Sequence, residues 1–321
     1  MLLGFDIGGT KCAVIIGKTN NLKTISIIAR EVLATSMPAL EMIELLFGTA
    51  ETMLEKYSIP KSILSGVGIS CGGPLNSKTG VILSPPNLPG WDNIPIVDLV
   101  GKRFGVKATL QNDANACAVA EWKYGAGKGL ENIIFLTFGT GMGAGLILNG
   151  SLYSGSTDAA GEVGHIRMAD TGPVGFGKAG SFEGFCSGGG IAQLAQGRAR
   201  AILEIGGQTL LCKNLGELHL ITAKSVAGAA FKGDETAIDV YKTCGQYLGR
   251  GLSVLIDILN PEMIIIGGIY GRAQSLIEPW MNEMLMRETL PISARTCIIV
   301  PAELGEEIGD YAALALAGMI L

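Results

Sequence analysis

Apolar residues in this chain group in two ways, as short continuous runs bounded by glycines and as stripes recurring every three to four positions. The runs predict strands over 1–6, 12–16, 63–70, 105–110, 132–137, 146–148, 263–266 and 297–300. The stripes predict helices. Leu40, Ile43, Leu46, Phe47, Ala50, Met53, Leu54 and Tyr57 follow Ser36 and Pro38 at helical spacing and mark one buried face. The Ala-rich stretch 114–124 is closed by Gly125, and a long helix over 234–259 is stopped by Asn260-Pro261. Glycines 245, 249 and 251 in that helix predict close packing against a neighbour. Further helices are predicted from Ser187, after Thr222, over 275–290 and over 309–321. Strands alternating with helices make this an α/β chain.

With 321 residues the chain exceeds one ordinary core, so two domains are expected. The division predicted is a smaller domain over 1–117, joined by the C-terminal helix 304–321, and a larger one over 118–303. A hydrophobic content of 48% with 17% charged residues is that of a well-buried globular enzyme. The net charge of −5 argues against nucleic acid as a partner. Seven cysteines are scattered singly with no CxxC pair, which fits buried thiols in a reducing compartment. The chain opens directly into a strand, and no apolar run is long enough to cross a bilayer. A soluble, cytoplasmic protein with no membrane partner is expected.

The chemistry concentrates at turns. Asn112 and Asp113 fall at a strand-to-helix junction, the carboxyl end of a strand, where open α/β sheets bind ligands. Asp113 is either a helix N-cap, a preferred role for Asp, or a base that takes a proton from a hydroxyl attacking a phosphate. Gly8, Gly9, Thr10 and Lys11 join the first two strands, with Asp6 just before them. That turn reads as a hairpin or as a phosphate cradle with Asp6 beside a Mg²⁺ ion. The second half repeats the design, strand, Gly/Thr turn, strand, at Phe138-Gly139-Thr140-Gly141-Met142-Gly143. Two such units are harder to dismiss as bulges than one. The Pro-rich loop 84–91 carries Asn87, and Gly267-Gly268 follows a buried strand as a possible nucleoside-binding turn.

Asp6-Ile-Gly-Gly-Thr-Lys11, Asn112-Asp113-Ala-Asn115, Gly139-Thr-Gly-Met-Gly143 and Glu162-Val-Gly-His165, in that order, resemble the ROK family of sugar kinases and sugar-responsive repressors. The resemblance covers the whole chain. It implies the actin-like ATPase (ribonuclease H-like) fold, two α/β domains with ATP and sugar in the cleft between them. It implies Asp113 as the catalytic base, and Gly73, Asn87, Asn112, Glu162, His165 and Glu183 around the sugar. Asp6, Gly8, Gly9, Thr10, Lys11, Gly139, Thr140, Gly141 and Gly143 would serve ATP and its Mg²⁺, with Gly267 and Gly268 facing adenosine. A sugar is a ring of hydroxyls, so a pocket of carboxylates, amides and imidazole suits it. The activity implied is ATP-dependent phosphorylation of a hexose 6-hydroxyl, glucokinase-like. N-acetylmannosamine, N-acetylglucosamine, allose or β-glucoside phosphorylation, or non-catalytic sugar sensing, are the alternatives. A homodimer is the oligomer implied.

Zinc-bearing members of that family follow Glu-x-Gly-His with Cys-x-Cys-Gly-x-x-Gly-Cys-x-Glu. Here the aligned stretch runs from Val174 to Glu183 without any of the three cysteines. Between 160 and 190 only His165 and Cys186 remain, short of the four ligands a structural zinc needs. No zinc is expected, with the loop held by packing of Val174 and Phe176. The repressors carry a helix-turn-helix before the kinase-like region; with Asp6 so near the first residue and a net charge of −5, a repressor is not expected.

Overall fold

A computed structural model describes residues 1–20 and 23–320. Its strands and helices form two compact units, one of residues 1–135, 145–160 and 303–321, the other of 136–144 and 161–302.

In the first unit, β1 (Leu2–Ile7), β2 (Lys11–Asn20) and β3 (Thr24–Ala34) form an antiparallel meander. Helix α1 (Ala39–Lys56) leads to β4 (Gly66–Cys71), which pairs parallel with β1. A small ribbon of β5 (Leu75–Asn76) and β6 (Val81–Ile82) precedes α2 (Ile96–Phe104). Strand β7 (Ala108–Asn112) pairs parallel with β4 and runs into α3 (Asp113–Tyr124). The sheet order is β3-β2-β1-β4-β7. Strand β1 is buried on both sides, as a central strand covered by helices must be. Leu3, Phe5 and Ile7 join the apolar stripe of α1 and the inner face of α2, where Phe5, Phe47 and Phe104 pack ring to ring.

A second sheet, ordered β10-β9-β8-β13-β14, contains β8 (Ile133–Phe138), β9 (Met142–Leu148) and β10 (Ser151–Tyr153). A ribbon, β11 (Val174–Gly175) with β12 (Lys178–Ala179), is followed by α4 (Phe182–Phe185), α5 (Gly188–Glu204), α6 (Ala223–Ala230) and α7 (Glu235–Leu259). Then come β13 (Met263–Ile266), α8 (Ile269–Glu288), α9 (Pro291–Ala294) and β14 (Ile298–Pro301), with β13 and β14 parallel. The glycine prediction in α7 holds. Gly245 and Gly249 lie against the Ile277 and Met281 carbonyls of α8, and Gly251 takes the Phe182 ring.

The chain closes with α10 (Ile308–Gly318), which packs on β1, β4 and α3 in the first unit. Leu321, the end of the predicted last helix, lies outside the described residues. Among the described residues no helix is long and apolar enough to cross a membrane.

Candidate functional site

In the first unit the parallel register sets the site. Ile7, Cys71 and Asn112, the last residues of β1, β4 and β7, stand side by side, with Asp6 opposite Ser70. The segments leaving these strand ends therefore converge at one edge, the ligand-binding edge of open α/β sheets. Gly8-Gly9-Thr10 leaves β1, Gly72-Gly73 leaves β4, and Asp113 leaves β7. The Pro-rich loop meets them there. A side chain on Gly9 would collide with the Asn87 carbonyl, and a Cβ on Gly72 would lie 3.2 Å from the Asn87 amide. One on Gly73 would lie 3.3 Å from Asn112 Nδ2. All the predicted residues of this unit are thus neighbours.

The first glycine turn is closed by the Gly8 N–H donating to the Lys11 carbonyl at 3.1 Å. Thr35 anchors it from β3's end: its hydroxyl donates to the Gly8 carbonyl at 2.6 Å and its N–H to the Thr10 carbonyl at 3.1 Å. The N–H groups of Gly9 and Thr10 make no hydrogen bond among the described residues. Adjacent unpaired N–H groups in a tight turn form an anion-binding concavity.

The choice posed for Asp113 is resolved in part. Asn112 is the N-cap of α3, its Oδ1 accepting from the Ala114 N–H at 2.9 Å. Asp113 occupies the first helical position and shares that N–H through its Oδ1 at 2.8 Å. The cap is secured without it. Asp113 keeps solvent-accessible surface, yet its carboxylate is crowded by protein, and that lost hydration raises its pKa against the pull of the Ala114 N–H. Asp6 is pushed up to about 6, first by burial and then by the negative charge of Asp113, with Asp310 adding to it. The Ser70 hydroxyl and the Lys11 ammonium oppose the shift.

The second unit repeats the turn with a different anchor. Gly139 N–H donates to the Gly141 carbonyl at 3.1 Å, and Gly143 N–H to the Thr137 hydroxyl at 2.8 Å. Met142 N–H donates to Glu183 Oε2 at 3.0 Å. Thr140 and Gly141 N–H are again left without a partner among the described residues. The Glu162–His165 segment lies against this turn, since a side chain on Gly164 would collide with the Met142 carbonyl. The Ala144 N–H donates to the Gly161 carbonyl at 2.7 Å. Glu162 is exposed, while His165 and Glu183 are half-buried. The three expected sugar contacts of this unit thus gather around one end of β9.

The loop from Val174 to Glu183 is held differently from the expectation. Val174 and Phe176 are 47% and 68% exposed, so apolar packing does not fix it. Polar bonds do. Gln193 brackets Val174, accepting from its N–H and donating to its carbonyl, both at 2.9 Å. Lys178 Nζ donates to the His165 carbonyl at 2.8 Å, and the Phe176 ring stands edge-on to His165 at 5.0 Å. Cys186 is buried, its thiol donating to the Cys244 carbonyl. Among the described residues no group of three or more His, Cys, Asp and Glu side chains is placed to hold a metal ion.

Beside the second turn lies a cavity of about 750 Å³ lined by Gly139, Thr140, Gly188, Thr222, Tyr241 and Arg272, among others. Gly267 and Gly268 stand behind the turn: Gly267 N–H donates to the Leu136 carbonyl, and Gly268 precedes α8, whose Ile269 and Arg272 reach the cavity. Thr222, Tyr241 and Arg272 escaped the sequence reading: the first reads as a helix cap, the second as core, and Arg272 lies ahead of the helix predicted from Ser275. Ser70, Thr35 and Asp310 escaped it as well. Asp310 is buried and paired with Arg30 at 2.7 Å, and Gly309 beside it abuts the Asp6 carboxylate.

Comparison with known proteins agrees with this geometry. A glucokinase of Thermotoga maritima is 30% identical over 316 residues, covering 98% of this chain and 96% of that protein. The crystal structure of a ROK family glucokinase from Streptomyces griseus, in complex with glucose and AMPPNP, matches with TM-score 0.77 and 30% identity over 99% of each chain. A ROK family transcriptional regulator, a homolog of the E. coli MLC protein, matches in fold with TM-score 0.85 at 23% identity, over 99% of this chain and 77% of that one. The fold is the actin-like ATPase (ribonuclease H-like) fold. The ROK family model fits residues 2–319, and the chain belongs to the ROK family.

Proposed function

We propose that this protein is an ATP-dependent sugar kinase that transfers the γ-phosphate of ATP to the 6-hydroxyl of a hexose, with glucose as first substrate. The observation that carries the reading is Asp113, accessible at the carboxyl end of β7, raised in basicity by desolvation and sharing the capping of α3 with Asn112. A carboxylate so placed accepts the hydroxyl proton as the sugar oxygen forms its bond to the γ-phosphorus. The bond from that phosphorus to the bridging oxygen breaks, and ADP carries away the electron pair.

The unpaired N–H pairs at Gly9-Thr10 and Thr140-Gly141 suit the phosphate oxygens, and the cavity at Thr222, Tyr241 and Arg272 suits the nucleoside. Asp6 fits a divalent cation, whose charge would offset both the burial and the repulsion that hold its pKa up. Mg²⁺ arriving with ATP would neutralise phosphate charge there. Gly73, Asn87, Asn112, Glu162, His165 and Glu183 are assigned to the sugar hydroxyls. An assay coupling ADP release to a panel of hexoses, N-acetylhexosamines and β-glucosides tests the reading. Turnover with glucose above the other sugars supports it. A best rate with another sugar reassigns the substrate, and sugar binding without turnover makes the protein a sensor.

A further inference from the structure

Away from these residues the first unit contains a second cavity, of about 620 Å³. It opens between the C-terminal end of α3, the β10 segment and the far end of α10, and Gln111, Trp122, Lys123, Ser151, Ser154 and Met319 line it. That volume suits a small molecule. The lining has one sign. No acidic residue contributes, although the chain carries a net charge of −5. Lys123 is its cation, with Nζ 3.3 Å from the centre of the Trp122 ring. Lys123 is exposed, and the partial desolvation of its ammonium beside the ring lowers its pKa, a cost that a bound anion would offset.

The neutral polar groups are available too. The buried Asn115 amide donates to Gln111 Oε1 at 3.2 Å, and the Gln111 Nε2 end makes no hydrogen bond among the described residues. The Ser151 and Ser154 hydroxyls make no hydrogen bond among the described residues. Trp122 and Met319 add apolar wall, and an aromatic face beside hydroxyls and an amide suits the two faces of a sugar ring.

We propose that this cavity is a second, non-catalytic binding site for a small polyhydroxylated anion, of the sugar phosphate or sugar acid class. Lys123 pairs with the anionic group, Gln111 and the two serines with hydroxyls, and Trp122 and Met319 with the apolar ring face. Binding here does not depend on phosphoryl transfer, so the site stands or falls separately from the kinase reading.

The test is titration of the full chain with glucose 6-phosphate, gluconate and inorganic phosphate, each with saturating glucose present. Trp122 fluorescence and calorimetry are the readouts, and melting curves confirm that variants are folded. Expected is saturable binding of glucose 6-phosphate or gluconate, tighter than inorganic phosphate, with the phosphate and carboxylate arms identifying the preferred anion. Lys123→Met, an exposed position, should weaken binding about tenfold or more, the loss of a charge-assisted hydrogen bond, and Trp122→Phe should abolish the optical signal. The proposal is overturned by absence of saturation up to about 1 mM. It is equally overturned by unchanged affinity in Lys123→Met, or by inorganic phosphate binding as tightly as either sugar anion.

Discussion

At the first turn of α3 one N–H, that of Ala114, is shared by Asn112 and Asp113, and this decides what each substitution does. Asp113→Asn leaves the cap in place, so the melting temperature should stay near that of the wild type. The base is lost, and kcat should fall by about 10²–10⁴ with sugar affinity largely kept. Near wild-type turnover in a steady-state assay would return Asp113 to a purely structural role. Asp6 predicts the opposite pairing of effects. Its pKa of about 6 in the folded protein exceeds the value of about 3.9 for an unfolded chain, so the folded state holds the extra proton between them. Stability contributed by Asp6 is therefore greatest at low pH and is lost as pH rises from about 4 to about 6. Asp6→Asn should raise stability by about 1–3 kcal/mol at pH 7.5, without nucleotide or metal, and by little near pH 4. Activity should be largely lost. Melting curves at the two pH values check this, and a variant less stable than wild type at pH 7.5 contradicts it. The strand-to-helix junction at Asn112-Asp113 could be read from sequence because junction signals are local. Ser70 and Asp310 could not, because their nearness to Asp6 comes from strand register and from a helix at the other end of the chain.

Among the elements, α4 shows how one side chain serves two segments. Glu183 is both a predicted sugar ligand and the acceptor that fixes the Met142 N–H of the second glycine turn. Glu183→Ala leaves that N–H unpaired, at a cost of about 1–3 kcal/mol, and should weaken nucleotide and sugar binding together. Glu183→Gln keeps an acceptor for the turn and should weaken sugar alone. Calorimetric titration of both ligands against both variants separates the cases, and a Gln variant that also loses nucleotide would show that the charge itself holds the turn. Regular elements with strong periodicity were legible. The stripe of α1 is buried as expected except at its ends, where Leu40 and Tyr57 face solvent. Strand β3 was missed, since its edge position leaves charged residues such as Arg30 and Glu31 amid its apolar ones. Helix α8 starts at Ile269, ahead of the predicted Ser275, across a kink at Ala273 that hides its period. The expectation for the loop from Val174 to Glu183 failed for a related reason: Gln193 and Lys178 fix it by hydrogen bonds to backbone, which leave no apolar pattern.

For the molecule as a whole, the cysteines and the loop from Val174 to Glu183 make a joint prediction. All seven cysteines are free, and Cys297 alone among them is not fully buried. Protein purified without chelator should carry no stoichiometric zinc, and neither EDTA nor a reductant should move its melting temperature. A bound zinc whose removal lowers that temperature would mean that the loop from Val174 to Glu183 is wrongly aligned with its relatives. The packing of α10 has a consequence of another kind. Gly68 of β4 has no side chain because Ala313 of α10 lies directly on it, and the buried Glu121 of α3 accepts the Leu304 N–H at 2.9 Å. The first unit is therefore sealed by residues that a ribosome makes only after the other segments of both units. At roughly 5–20 residues per second, the sheet formed from the first hundred residues waits on the order of ten seconds or more for its cover. Residues 136–302 are complete before it. A nascent chain halted after Ala302 would display a bare, glycine-lined sheet face, and such a fragment should depend on chaperones where the finished protein does not.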